Sequence, residues 1–194
     1  MAAASVTVTL LTTACSDLTE PVDTLLSTAD LLVLPLQAAA PAPSSANFWV
    51  YNERQTTHRL IHTDAVNNPY LELTFPTGSL LSLNGTPLGN SDSAFVTVDA
   101  RPGHYGFTIS PAGLSFQENA APTARFFFAW YADGSIADAS DKYQTPSAYA
   151  AALDIWWETT VDLWRVAASS RPDGTDIVAA TVGATGEYVL AAPR

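Results

Sequence analysis

Tyr70-Leu71-Glu72-Leu73-Thr74-Phe75-Pro76-Thr77-Gly78-Ser79-Leu80-Leu81-Ser82-Leu83-Asn84-Gly85 is the stretch that decides the fold class of this chain. Apolar and polar side chains alternate over residues 70–75. Successive side chains of a β-strand point to opposite faces, so Leu71, Leu73 and Phe75 share one side. Pro76-Thr77-Gly78 ends that strand, and Leu80–Leu83 begins another that runs into Asn84-Gly85. Both residues of that dipeptide accept positive φ, which is what a two-residue hairpin turn demands.

The same grammar extends in both directions. Phe48-Trp49-Val50-Tyr51 and Arg59-Leu60-Ile61-His62 precede the stretch, closed by the Asn67-Asn68-Pro69 turn. Phe95–Val98, Tyr105–Ile109, Arg125–Tyr131, Leu153–Trp157, Val161–Val166, Ile177–Val182 and Tyr188–Ala191 follow, with turns at Pro102-Gly103, Pro111-Ala112-Gly113, Asp133-Gly134 and Pro172-Asp173-Gly174. Only Asp138–Ala152, rich in Ala and Ser, has room for a short helix. No interval has the length and pattern of a strand–helix–strand crossover, so a parallel α/β sheet is disfavoured. Short strands with regular turn signals predict an all-β, antiparallel β-sandwich over residues 47–194.

The chain has 194 residues, 47% of them hydrophobic and 14% charged, enough for one domain with a real core plus an appendage. Its formal net charge is −11, and Lys142 is its only lysine. No basic stripe exists to neutralise phosphates, which excludes nucleic acid as a partner. Anionic membrane surfaces repel such a chain as well. Cys15 is the single cysteine, so neither an intrachain disulfide nor a multi-cysteine metal site can form.

Residues 1–14 carry no charge and end in Leu11-Thr12-Thr13-Ala14 before Cys15. The segment is too short to span a bilayer but has the length and small-residue ending of a signal-peptide apolar region. Ending on cysteine, it resembles a bacterial lipoprotein signal. The resemblance implies export to the periplasmic side of a bacterial membrane and lipidation of Cys15, and acyl chains would hold an acidic protein at a surface that repels it. Residues 15–46 read as a tether. Asp23–Leu34 is apolar without clean periodicity, Pro35 stops any helix, and Pro41-Ala42-Pro43-Ser44-Ser45 is an extended linker. Its leucines, Leu31, Leu32 and Leu34, are expected to dock on a partner, the alternative being that they fold back on their own domain.

Phe75-Pro76-Thr77-Gly78-Ser79-Leu80, then Tyr105–Phe116 with its Pro111-Ala112-Gly113-Leu114 turn, then Trp164 and a closing Gly186-Glu187-Tyr188-Val189-Leu190-Ala191 resemble, in that order, a divergent ZU5-type domain. The resemblance implies a β-sandwich of the kind used in extracellular and scaffold proteins. Ala184-Thr185-Gly186 stands where some relatives carry a self-cleaving His-Phe-Ser, so self-cleavage is not expected.

No constellation for catalysis emerges. His58 and His62 lie four apart, which on a strand separates them by about 13 Å, too far for one ion. His104 follows a turn and reads as a solvated loop residue. Ser79 lacks a marked base, and no Gly-x-Ser-x-Gly elbow occurs. Asp154, Glu158 and Asp162 read as a solubility face rather than a carboxylate pair. Asp133, Asp138 and Asp141 lack the glycine and spacing of a calcium loop. Neither a catalytic residue, nor a metal, nor a cofactor is expected.

The unusual feature is aromatic: Phe126-Phe127-Phe128-Ala129-Trp130-Tyr131, Ile155-Trp156-Trp157 and Trp164. Consecutive aromatics on a strand face opposite ways, so one core cannot absorb them all. Some of Phe127, Trp130 and Trp156 are therefore expected to be exposed for partner binding, unless a loop such as Ala148–Ala152 covers them. The function expected is a non-catalytic, lipid-anchored accessory subunit that stabilises a membrane protein complex. In general cast the chain resembles accessory subunits of bacterial photosynthetic reaction-centre and light-harvesting complexes. The alternative is a carbohydrate-binding surface lipoprotein.

Overall fold

The computed structural model describes residues 25–135 and 141–194. Cys15, residues 1–14 and Asp138 lie outside them. The strands are β1 (Leu26–Ser27), β2 (Leu31–Val33), β3 (Ala46–Tyr51), β4 (Thr56–Ile61), β5 (Pro69–Phe75), β6 (Leu80–Leu83), β7 (Thr86–Pro87) and β8 (Ser93–Ala100). They continue with β9 (Gly106–Ser110), β10 (Leu114–Phe116), β11 (Thr123–Phe127), β12 (Asp154–Thr160), β13 (Leu163–Val166), β14 (Arg171–Pro172), β15 (Ile177–Thr181) and β16 (Gly186–Pro193). One short helix, α1 (Pro146–Ala151), falls inside the connection predicted to hold it. Thr145 caps it, its hydroxyl accepting from the Ala148 N–H at 3.1 Å.

Two antiparallel sheets dominate an all-β sandwich. The larger runs β1-β13-β12-β16-β9-β8-β3, with β2 also paired to β16, and the other runs β14-β15-β11-β5-β4. A small β10-β6-β7 sheet adjoins them, and its β6–β7 hairpin turns through Asn84 (φ 50°) and Gly85 (φ 78°) as the dipeptide requires. Leu71, Leu73 and Phe75 point into the core together, as the alternation predicts, beside Leu60, Val96, Val98, Phe107, Phe126 and Tyr188.

Two buried polar knots tie the layers. Asn52 accepts from the Leu80 N–H (2.9 Å) and donates to the carbonyls of Leu80 (3.0 Å) and Gly89 (3.2 Å). The Tyr70 hydroxyl bonds both the N–H and the C=O of Gly106, each at 2.7 Å. Gly106 must lack a side chain there, because a Cβ would come within 2.9 Å of the Tyr188 carbonyl.

The region expected to be a tether is, from residue 25 onward, part of the fold. β2 pairs with β16 (Leu31↔Pro193, Leu32↔Ala192, Val33↔Ala191), and β1 pairs with β13. Leu32 and Leu34 enter the main core, while Leu31 joins a second cluster with Trp156, Trp164, Val189 and Ala191. A strand covered on both faces is apolar at consecutive positions. That is why this run shows no clean periodicity, and it corrects the expectation that Leu31, Leu32 and Leu34 wait for a partner.

Candidate functional site

Of the three candidate aromatics Phe127, Trp130 and Trp156, one is exposed. Trp130 is 48% exposed, just beyond the end of β11. Trp156 is 3% exposed, its indole N–H donating to the Ala191 carbonyl at 3.0 Å. The neighbouring Trp164 donates to the Thr28 hydroxyl at 2.8 Å, so the β1–β2 segment helps complete the pocket that holds these rings. Phe127 is half-buried on the outer face of the smaller sheet, with the guanidinium groups of Arg59 and Arg125 at 5.7 and 5.5 Å from its ring centroid. Both arginines pair with Glu72, which lies between them across β4, β5 and β11. A cross-strand charge ladder lies against that ring.

The residues capable of chemistry are scattered, each engaged or buried on its own. His58 stacks on Phe48 at 4.4 Å. Ser79 is fully buried and its hydroxyl has no hydrogen-bond partner, so no base activates it. Asp154 accepts from the Ser170 hydroxyl at 2.8 Å, and burial raises its pKa above the usual carboxylate range. Glu158 accepts from the Asp162 N–H at 3.0 Å, and Asp162 sits in a tight turn at φ 66° rather than on a strand beside Asp154. Among the described residues, no group of three or more His, Cys, Asp or Glu converges as it would around a metal ion.

His62 has the most constrained environment. The sequence places it at the end of a strand; in the fold it is fully buried, ringed by Tyr70, Tyr105 and Tyr131 with centroids at 5.3, 6.4 and 4.6 Å. Its Nδ1 lies 3.1 Å from the Pro41 carbonyl, and its Nε2 has no partner. Asp64 stands nearby, accepting from the Tyr131 hydroxyl (2.8 Å) and from Asn68 and Val66. Burial would raise its carboxyl, but these hydrogen bonds hold it down at about 2.

Burial lowers the His62 imidazole below its ordinary value, against weaker opposing pulls from Pro41 and Asp64. The folded chain therefore resists the proton that the unfolded chain accepts near pH 6.5, the ordinary histidine value of about 6.5. The stability due to neutral His62 is complete above that pH and falls as pH drops through it toward the lower folded value. The urea midpoint is expected to hold steady above about pH 7.5 and decline below about pH 6.5. His62→Gln should flatten part of that decline. His58 and His104, also lowered by burial first of all, supply the rest. His104 is half-buried, not the solvated loop residue expected from its turn.

A cleft of about 310 Å³ opens between the sheets beside Trp157, Arg165, Val166 and Tyr188. Its volume sits at the lower limit for a small-molecule site. The exposed aromatics lie elsewhere. On the edge strand β3, Trp49 is 51% exposed, and its register partner Phe95 on β8 is 49% exposed, with ring centroids 5.3 Å apart and tilted by 58°. Ala46, Val50, Ala94, Val96 and Val98 point inward, so alternation sends Trp49 and Phe95 to the outer face. The same alternation is legible in Phe48-Trp49-Val50-Tyr51 and Phe95-Val96-Thr97-Val98, and it could have nominated this pair. Comparison with known protein families, curated proteins and solved structures returned no match.

Proposed function

We propose that this chain is a non-catalytic binding domain, anchored by a lipid on Cys15 at the periplasmic side of a bacterial membrane, which offers an aromatic patch to a partner outside the bilayer. The observation that carries this reading is the half-exposed Trp49–Phe95 pair, with the polar Asn47, Thr97 and Asp99 beside it on the outer side of β3 and β8. Tryptophan and phenylalanine are enriched at contact surfaces relative to the rest of a protein's surface. The groups that could do chemistry are individually occupied or buried, which favours binding over turnover.

Trp49 is on β3, at the edge of the larger sheet opposite β1, six strand spacings or roughly 30 Å from it. Docking through the leucines onto a membrane complex loses its support, because those leucines fill this chain's own cores.

Intact mass and fractionation of the protein from its native membrane test the anchor. The expected result is a chain beginning at Cys15 with an acyl-glyceryl adduct, and release of a Cys15→Ser variant from the membrane fraction. An unmodified chain that retains residues 1–14 and stays soluble would refute it.

A further inference from the structure

We infer that the Trp49–Phe95 pair is a stacking site for a neutral glycan with equatorially substituted pyranose rings, a specification that rests on the non-catalytic binding reading above. Size argues first. A buried Trp or Phe accounts for about 150–250 Å², so two half-exposed rings present roughly that area together. A stable protein–protein interface needs about 800 Å² from each partner. The patch is too small to hold a protein by itself and matches the apolar face of one or two sugar rings.

Neighbours on the same face supply what a sugar needs around its stacked face. Along β3, Asn47 precedes Trp49 and Tyr51 follows it on the outer side, about 6.6 Å per step. The Asn47 carboxamide accepts from the Thr97 hydroxyl at 2.6 Å, which leaves its amide protons to meet ring hydroxyls on one side of the aromatic pair. On the other side the Arg54 guanidinium lies 3.8 Å from the Tyr51 ring centroid, holding a further donor beside the row. The 58° tilt keeps Phe95 from covering Trp49, so both rings stay available. Net charge chooses the class of glycan. At −11 the chain repels uronic-acid and sulfated polymers and leaves uncharged ones as ligands.

Titrating the intact protein with cellohexaose and with chitohexaose, followed by tryptophan fluorescence and saturation-transfer NMR, tests the inference. The expected result is saturable binding of at least one hexasaccharide, weakened at least tenfold in Trp49→Ala and several-fold in Phe95→Ala. Trp130→Ala, at an exposed tryptophan off this face, should bind as the native protein does. Circular dichroism on each variant separates loss of the site from loss of the fold. A folded native protein that binds neither sugar would overturn the glycan assignment and leave the non-catalytic reading standing, as would binding indifferent to both Trp49→Ala and Phe95→Ala. Release of shorter sugars during the titration would overturn the non-catalytic reading itself.

Discussion

A chain cut to begin at Ala46 is expected to be unfolded or aggregated at room temperature, although residues 47–194 look from sequence like a complete sandwich. The cut removes Leu31, Leu32 and Leu34, all nearly fully buried, along with the pairing of β2 to β16 and of β1 to β13. Each buried leucine is worth about 2–5 kcal/mol against alanine. Domains of this size have a total stability of only about 5–15 kcal/mol, so losing three such side chains and two strands exhausts it. Circular dichroism and one-dimensional NMR of the truncated chain check this. A dispersed spectrum and an unchanged melting temperature would show that residues 25–45 are an appendage after all. The milder Leu34→Ala, which keeps the strand, should remain folded and lose about 2–5 kcal/mol.

Trp156→Ala is expected to lower the unfolding free energy by about 3–5 kcal/mol and the melting temperature by roughly 6–20 °C. As an exposed docking residue, this tryptophan would have been nearly neutral to replace in the isolated protein. The fold instead places it beneath Leu31 and Trp164 in a cluster with Val189 and Ala191, and its removal also leaves the Ala191 carbonyl without the indole donor. Trp156→Phe restores most of the volume but not the hydrogen bond, so it should recover more than half of the loss. Equilibrium urea unfolding of the two variants distinguishes packing from hydrogen bonding.

Local rules carried the sequence a long way here. Alternation set Leu71, Leu73 and Phe75 on the core side of β5, and Asn84-Gly85 marked a hairpin that the backbone angles match. Parity also gave the right answer for the aromatic runs in part: Phe126 and Phe128 turn inward while Phe127 turns out to meet Arg59 and Arg125. What parity could not give was whether an outward face meets water. Trp156 does point away from the main core, but β1 and β2 return from more than a hundred residues earlier in sequence to build a second core there. Nothing within a local window encodes that return. For the Trp49–Phe95 pair the gap is the opposite one: alternation sends each ring outward, but only the cross-strand register makes them neighbours.

β16 is the hub of the larger sheet, hydrogen-bonded to β12 on one edge and to β9 and then β2 on the other. All three partners lie earlier in the chain, so this sheet cannot close while residues 186–193 are still being made. Non-local strand pairing of this kind puts folding in the range of milliseconds to seconds rather than microseconds. A polypeptide with that topology stays open until this strand has been made, and it locks only when the strand slides between neighbours already waiting for it.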